Sequence, residues 1–177
     1  MDNFVDLEVI RSQQRLSAGM REGLAACWVD TTNAGGAVGF PWPPVTLDDV
    51  MGEVDDLIAR IGGGHTLLVV AAVEGRVVGW VSLDRNEHPL VAHWATVRRL
   101  QTHPAVRGRG IGRALMTGLV HEAREDGLRQ LHLAVRGGMG LEDFYLKLGW
   151  RVAGTWTEAL RLAEDDYRDE VLMALSL

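Results

Sequence analysis

The chain holds one cysteine, Cys27, and one lysine, Lys147, among its 177 residues. A single cysteine permits no internal disulfide, so the fold must rest on its hydrophobic core alone. The shortage of lysine bears on nucleotide loops. The lysine-containing phosphate loop needs Lys and then Ser or Thr directly after its last glycine, whereas Arg113 and Ala114 follow Gly112. The six histidines lack metal-ligand spacing, because His121-Glu122 has no second histidine at position 125, and no metal is expected. Long apolar runs are also missing. The longest, Thr66 to Val73, is far too short to span a bilayer, and the first residues, MDNFVDLEVIR, are acidic where a signal peptide is basic. A soluble, cytoplasmic protein without a membrane partner is expected. A net charge of −6 argues against a nucleic acid partner. No repeat, low-complexity stretch or linker interrupts the chain, and 47% apolar content at this length predicts one domain over residues 1–177.

Strand and helix periods alternate along that domain. Residues 5 to 10 alternate like a strand, and Gln13 to Trp28 carries a helical stripe at Leu16, Met20, Leu24 and Cys27. Residues 30 to 44 are rich in Gly, Pro, Asn and Thr, a loop longer than a connection requires. Residues 47 to 61 form an amphipathic helix with Thr46 as its N-cap. Strands follow at 66–73 and 76–83, joined by Glu74-Gly75, and at 91–102. Beyond a glycine-rich turn, Ile111, Leu115, Leu119 and Ala123 mark a helix that stops at Gly127. A strand at 128–135, a short helix at 141–148 and strands at 150–156 and 170–175 complete the order β-α-α-β-β-β-α-β-α-β-β. This is an α/β domain with a mixed sheet.

The turn Arg107-Gly108-Arg109-Gly110-Ile111-Gly112 stands between a strand and a helix. Glycines at alternate positions let backbone N–H groups face outward, and the helix behind them adds unpaired N–H groups and a positive dipole end. Arg107, Arg109 and Arg113 add full charges, which suits a ligand with several phosphates. The dinucleotide fingerprint is excluded, since Leu115 stands where its third glycine belongs. What remains is R-x-x-G-x-G at Arg107, Gly110 and Gly112, preceded by Thr102-x-Pro104. This resembles the pyrophosphate-binding motif of the GNAT superfamily of acyl-CoA-dependent N-acyltransferases. The segment Phe144-Tyr145-Leu146-Lys147-Leu148-Gly149-Trp150 resembles the superfamily's tyrosine-bearing helix and its following Gly-aromatic pair. Gly138 departs from the asparagine that relatives often carry there.

The resemblance implies a GNAT-like, mostly antiparallel sheet of about seven strands flanked by about four helices. It implies acetyl-CoA as co-substrate, held by main-chain groups of Leu100, Gln101 and Thr102 and by residues 107 to 113, namely Arg107, Gly108, Arg109, Gly110, Ile111, Gly112 and Arg113. Tyr145 is then the proton donor to the leaving thiolate. The loop Gly35-Gly36-Ala37-Val38-Gly39-Phe40 resembles that of the tabtoxin resistance protein group, which acetylates small amines. The implied reaction is acetyl transfer to the primary amine of a small molecule by direct attack in a ternary complex. An acetyltransferase acting on a protein lysine or N-terminus, and a non-catalytic acyl-CoA sensor, remain alternatives, in a monomer or a homodimer.

For the acceptor, acids and aromatic surfaces at Trp28, Asp30, Phe40, Trp42, Trp156 and Glu158 suit a cationic amine. The side chains of Gln101 and Thr102 carry no evident role. Relatives often place a glutamate near position 96, but here Thr96 has no useful basicity. Glu87, His88 and His93 are candidates for a base acting through water, and none is singled out.

Overall fold

The computed structural model describes residues 5–36, 38–40 and 43–177. Their elements are β1 (Asp6–Ile10), α1 (Ala18–Asn33), α2 (Leu47–Gly62), β2 (Thr66–Val73), β3 (Arg76–Arg85) and β4 (Trp94–Thr102). After these come α3 (Ile111–Glu125), β5 (Gln130–Arg136), α4 (Leu141–Leu146), β6 (Arg151–Ala163) and β7 (Asp166–Ser176). The order and the count, seven strands and four helices, agree with the sequence pattern. All strands join one sheet in the order β1-β2-β3-β4-β5-β7-β6, antiparallel except between β4 and β5.

The sheet is covered on both faces. Leu67, Val69 and Val81 pack with Leu115, Leu119 and Ala123 of α3, whereas Leu68, Val70 and Trp80 pack with α1 and α2 residues such as Leu24, Trp28 and Leu57. Because β2 sends alternate side chains into two cores, it reads as a continuous apolar run, TLLVVAAV, instead of an alternating one. Gly79 lets β3, β4 and α3 approach one another. A Cβ there would stand 2.8 Å from the Gln101 carbonyl oxygen and 3.1 Å from Leu115 Cδ1.

Four elements differ clearly from their expected bounds. The first helix begins at Ala18, after a 3-10 turn at Gln13–Arg15, because the Ser17 hydroxyl accepts the Met20 N–H at 3.1 Å and caps it there. It also runs past Trp28 to Asn33, through Thr31 and Thr32, whose low helix propensity hides the continuation while their burial enforces it. The third strand of the middle hairpin starts at Trp94, since residues 88 to 93 form turns. The last two strands are much longer than their apolar segments. β6 and β7 form a hairpin spanning residues 151 to 176 whose outer arms are largely exposed, so no alternation marks them.

The connection from α1 to α2 borders the site and is closed by Asn33. Its amide donates to the Val45 carbonyl at 2.9 Å and accepts the Val45 N–H at 2.7 Å. Thr46 and Asp49 then form a capping box at the start of α2. Replacing Thr46 by alanine should lower stability by about 1 kcal/mol, read as a fall in the denaturant midpoint at unchanged m-value.

Candidate active site

The glycine-rich turn lies between the end of β4 and α3. Residues Pro104–Val106 make one 3-10 turn, and His103 ties it down: Nδ1 accepts the Ala105 N–H at 3.2 Å and Nε2 lies 3.0 Å from Asp30 Oδ2. Gly108 and Gly110 have φ of 78° and 81°, values a side chain would strain. The first intrahelical bond of α3 runs from the Ala114 N–H to the Gly110 carbonyl, so the N–H groups of Ile111, Gly112 and Arg113 precede the helical ladder and point outward. Arg107, Arg109 and Arg113 are exposed, and none forms an ion pair among the described residues. These features fit a polyphosphate group, whose charge both the helix dipole and the guanidinium groups favour.

Beside the turn, the sheet opens. β4 and β5 pair only at Trp94↔Gln130, Ala95↔Leu131 and Thr96↔His132, after which β5 stays with β7 and leaves the neighbouring edge of β4 without a strand partner among the described residues. A β-bulge shapes the free stretch. Trp80 pairs with Gln101 and Ser82 with Arg98, so Val81 alone faces both Arg99 and Leu100, and Arg99 takes a left-handed φ of 58°. The resulting cleft, of about 370 Å³, runs from Arg107 and Gly112 between the two strands to Thr31, Gly35 and Gly36 beyond α1.

Tyr145 lines this cleft. Gly140, at φ 69°, starts the short α4 that carries it, and the ring packs edge-on against Phe144 at 5.0 Å and Trp150 at 5.8 Å between centroids. Burial pushes its phenol well above the ordinary tyrosine value, so the hydroxyl keeps its proton at neutral pH. Leu100, Gln101, Thr102, Arg107 and Gly112 line the same cleft; Gly108, Arg109, Gly110, Ile111 and Arg113 belong to the turn and first helical turn at its mouth. The Gln101 side chain is 2% exposed and lines the cleft, and among the described residues neither its amide nitrogen nor its amide oxygen has a hydrogen-bond partner.

The residues expected around an acceptor are dispersed. Trp28 is 1% exposed and belongs to the core; its indole N–H donates to the Val38 carbonyl at 2.8 Å and so fixes the loop instead of offering a surface. Asp30 faces away from the cleft, beside His103, in a separate groove with Asp6 and Glu8. Phe40 packs edge-on against Trp28 and lines a groove next to the cleft, while Trp42 lies outside the described residues. Trp156 and Glu158 are exposed on β6 and line neither the cleft nor that groove. Nor do Glu87, His88 and His93 line it, because all three precede β4, at the end where that strand is paired with β5.

In place of acids, the groove beside the cleft presents arginines: Arg98, Arg99, Arg136 and Arg161. The doublet Arg98-Arg99 is the readable trace of this arrangement. Two successive polar residues inside the alternating run Ala95 to Leu100 mark the bulge, which turns both toward the α1 face. Gln101 and Arg136 have no such trace, since each sits at an ordinary polar strand position.

Residues 20–150 match the sequence profile of the Acetyltransferase (GNAT) family. An acetyltransferase of Pectobacterium atrosepticum is 32% identical over 111 residues, covering 62% of this chain and 75% of that protein. An N-acetyltransferase from Staphylococcus aureus Mu50 superposes with a TM-score of 0.73 at 18% identity, over 97% of this chain and 98% of that one. The yncA protein of Salmonella typhimurium, solved with its cofactor acetyl-CoA, gives a TM-score of 0.74 at 16% identity, over 98% and 94% of the two chains. At these identities the structural likeness establishes the fold.

Proposed function

The chain belongs to the acetyltransferase (GNAT) family, and from that premise we propose that it transfers the acetyl group of acetyl-CoA to the primary amine of a small molecule, both substrates being held together for direct attack. The observation that carries this reading is the cleft itself, continuous from the arginine-glycine turn, past Tyr145, to the loop after α1. The residues present fit acetyl-CoA. Positive-φ glycines, free N–H groups of α3 and unpaired arginines suit its pyrophosphate, and the unpartnered edge of β4 offers main-chain groups of Leu100, Gln101 and Thr102 to its amides.

Bound acetyl-CoA supplies a thioester whose carbonyl carbon is open to an amine. The chain's part is then to align the two substrates, to donate hydrogen bonds to the carbonyl oxygen and to manage protons. Tyr145 holds a proton where it lines the cleft, and we assign that proton to the leaving sulfur. Gln101 carries an unpaired donor and acceptor and serves to orient the amine. The loop around Val38 and Phe40 and the β6–β7 hairpin bound the acceptor side, which suits a small molecule better than an extended peptide. The resemblance of residues 35 to 40 to the tabtoxin resistance protein group points the same way.

Release of CoA thiol from acetyl-CoA, followed with free amines, with peptides and without acceptor, tests the reading. Acceptor-dependent release with free amines is expected. Turnover of peptides alone would replace the small molecule with a protein acceptor, and binding of acetyl-CoA without any turnover would make the protein a sensor.

A further inference from the structure

The groove next to the cleft has a charge opposite to that of the protein. The chain carries −6 overall, yet this groove, of about 520 Å³, is lined by four arginines and one carboxylate, Glu170. It is continuous with the cleft, because Val38, Val97, Arg99 and Ala134 line both. Two of its arginines are balanced within the protein. Arg98 Nε lies 2.7 Å from Asp84 Oδ2, and Arg99 Nη2 lies 2.8 Å from Glu53 Oε2.

The balance is incomplete where the groove meets the cleft. Arg99 lies over the Trp28 ring at 4.5 Å from its centroid, and its other terminal nitrogen, Nη1, is buried without a hydrogen-bond partner among the described residues. Arg136 is more exposed to this imbalance. It forms no ion pair with any described residue, although Glu170 is its directly opposed residue on β7, and its Nε is buried without a partner. Arg161 spends its Nε on the Ala163 carbonyl at 3.3 Å and stands over Tyr167, leaving its charge unmatched as well. A partly buried guanidinium with unpaired N–H groups is costly, and burial together with the charge of Arg168 lowers the Arg136 pKa despite the opposing effect of Asp166. An oxyanion in the groove would satisfy Arg99 and Arg136 through charge-assisted bonds.

We propose that the acceptor is an amine that also carries a carboxylate or equivalent oxyanion, gripped in this groove by Arg99 and Arg136 so that its amino group enters the cleft. This inference rests on the acetyltransferase reading above. It replaces a purely cationic acceptor with a zwitterionic one, such as a free amino acid.

The test compares free amino acids with their amides and with the corresponding decarboxylated amines, for the wild-type protein and for Arg136→Gln and Arg136→Lys, each variant first checked for an unchanged melting temperature. Amino acids should exceed their amides about tenfold or more in kcat/KM. Arg136→Gln should raise the acceptor KM by about 10- to 100-fold with the acetyl-CoA KM unchanged, and Arg136→Lys should restore part of the loss. Equal use of acids and amides, or an acceptor KM indifferent to Arg136→Gln, would overturn the proposal. If no amine of any kind is acetylated, the transferase reading fails, and calorimetry with the same amino acids decides the groove alone. Binding that Arg136→Gln abolishes supports it, and no binding overturns it.

Discussion

Replacing Tyr145 by phenylalanine should lower turnover by about 100-fold or more while leaving the fold and most of the acetyl-CoA affinity intact. The contacts that hold this residue belong to the ring, which meets Phe144 and Trp150 edge-on, and phenylalanine reproduces them. Only the hydroxyl is lost, and with it the proton at the cleft. A fall in kcat with little change in either KM marks a group that acts on the reaction path. Full activity in the variant would reduce Tyr145 to a packing residue. The pH dependence has a definite sign. Because burial raises the phenol pKa in the folded protein, the unfolded chain releases this proton first, near its ordinary value of about 10. Between that value and the folded one, the native state binds the extra proton, so stability falls as pH rises. Melting temperatures should therefore drop less between pH 9 and pH 11 in Tyr145→Phe than in the wild type.

Replacing Gly110 by proline should abolish acetyl-CoA binding in calorimetry. Gly110 caps α3 at φ 81°, and a proline ring holds φ near about −65° while removing the N–H. The turn cannot keep its shape with that residue. Gly110→Ala is the informative partner. Nothing lies within 4 Å of the new Cβ, so alanine costs only the left-handed strain of about 1 to 2 kcal/mol and retains the N–H. Binding should survive in the alanine variant, weakened modestly, and vanish in the proline variant. The body of α3 is held by Leu115, Leu119 and Ala123 in the core, so helical content should be kept in both. Normal binding by Gly110→Pro would mean that the cofactor lies elsewhere.

Periodicity made the architecture readable where one face of an element is buried and the other is wet. The stripes of α2 and α3 are of that kind. β2 and β3, buried on both faces over most of their length, were readable instead as continuous apolar runs, and the turn at 107 to 112 by its glycine spacing, which follows from backbone geometry. Patterns failed where the environment is mixed. α1 buries Thr31 and Thr32 beside Leu24 and Trp28, so its end has no apolar stripe to follow, and the outer part of the β6–β7 hairpin has no buried face to record. The residues expected around the acceptor are dispersed for a related reason. Trp28 and Asp30 are two positions apart in sequence, yet helical geometry sends one into the core and the other to a different groove. The cationic groove is assembled from β4, β5 and β6, three strands distant in sequence, and only the topology brings Arg99, Arg136 and Arg161 together.

The strand that carries Arg99 also settles a matter of counting. From Gly79 to Asp84, β3 offers six residues, and opposite them β4 spends seven, from Thr96 to Thr102. The surplus residue is Arg99. Since Leu100 and Gln101 already sit beside Val81 and Trp80 on their proper sides, excising Arg99 would leave an even, unbroken ladder with every other side chain facing as before. The sheet has no use for this residue, and holding an arginine at a left-handed φ works against it. Removal of one codon would therefore leave the ladder that the strand needs in order to fold and take away only the arginine proposed above to grip the acceptor.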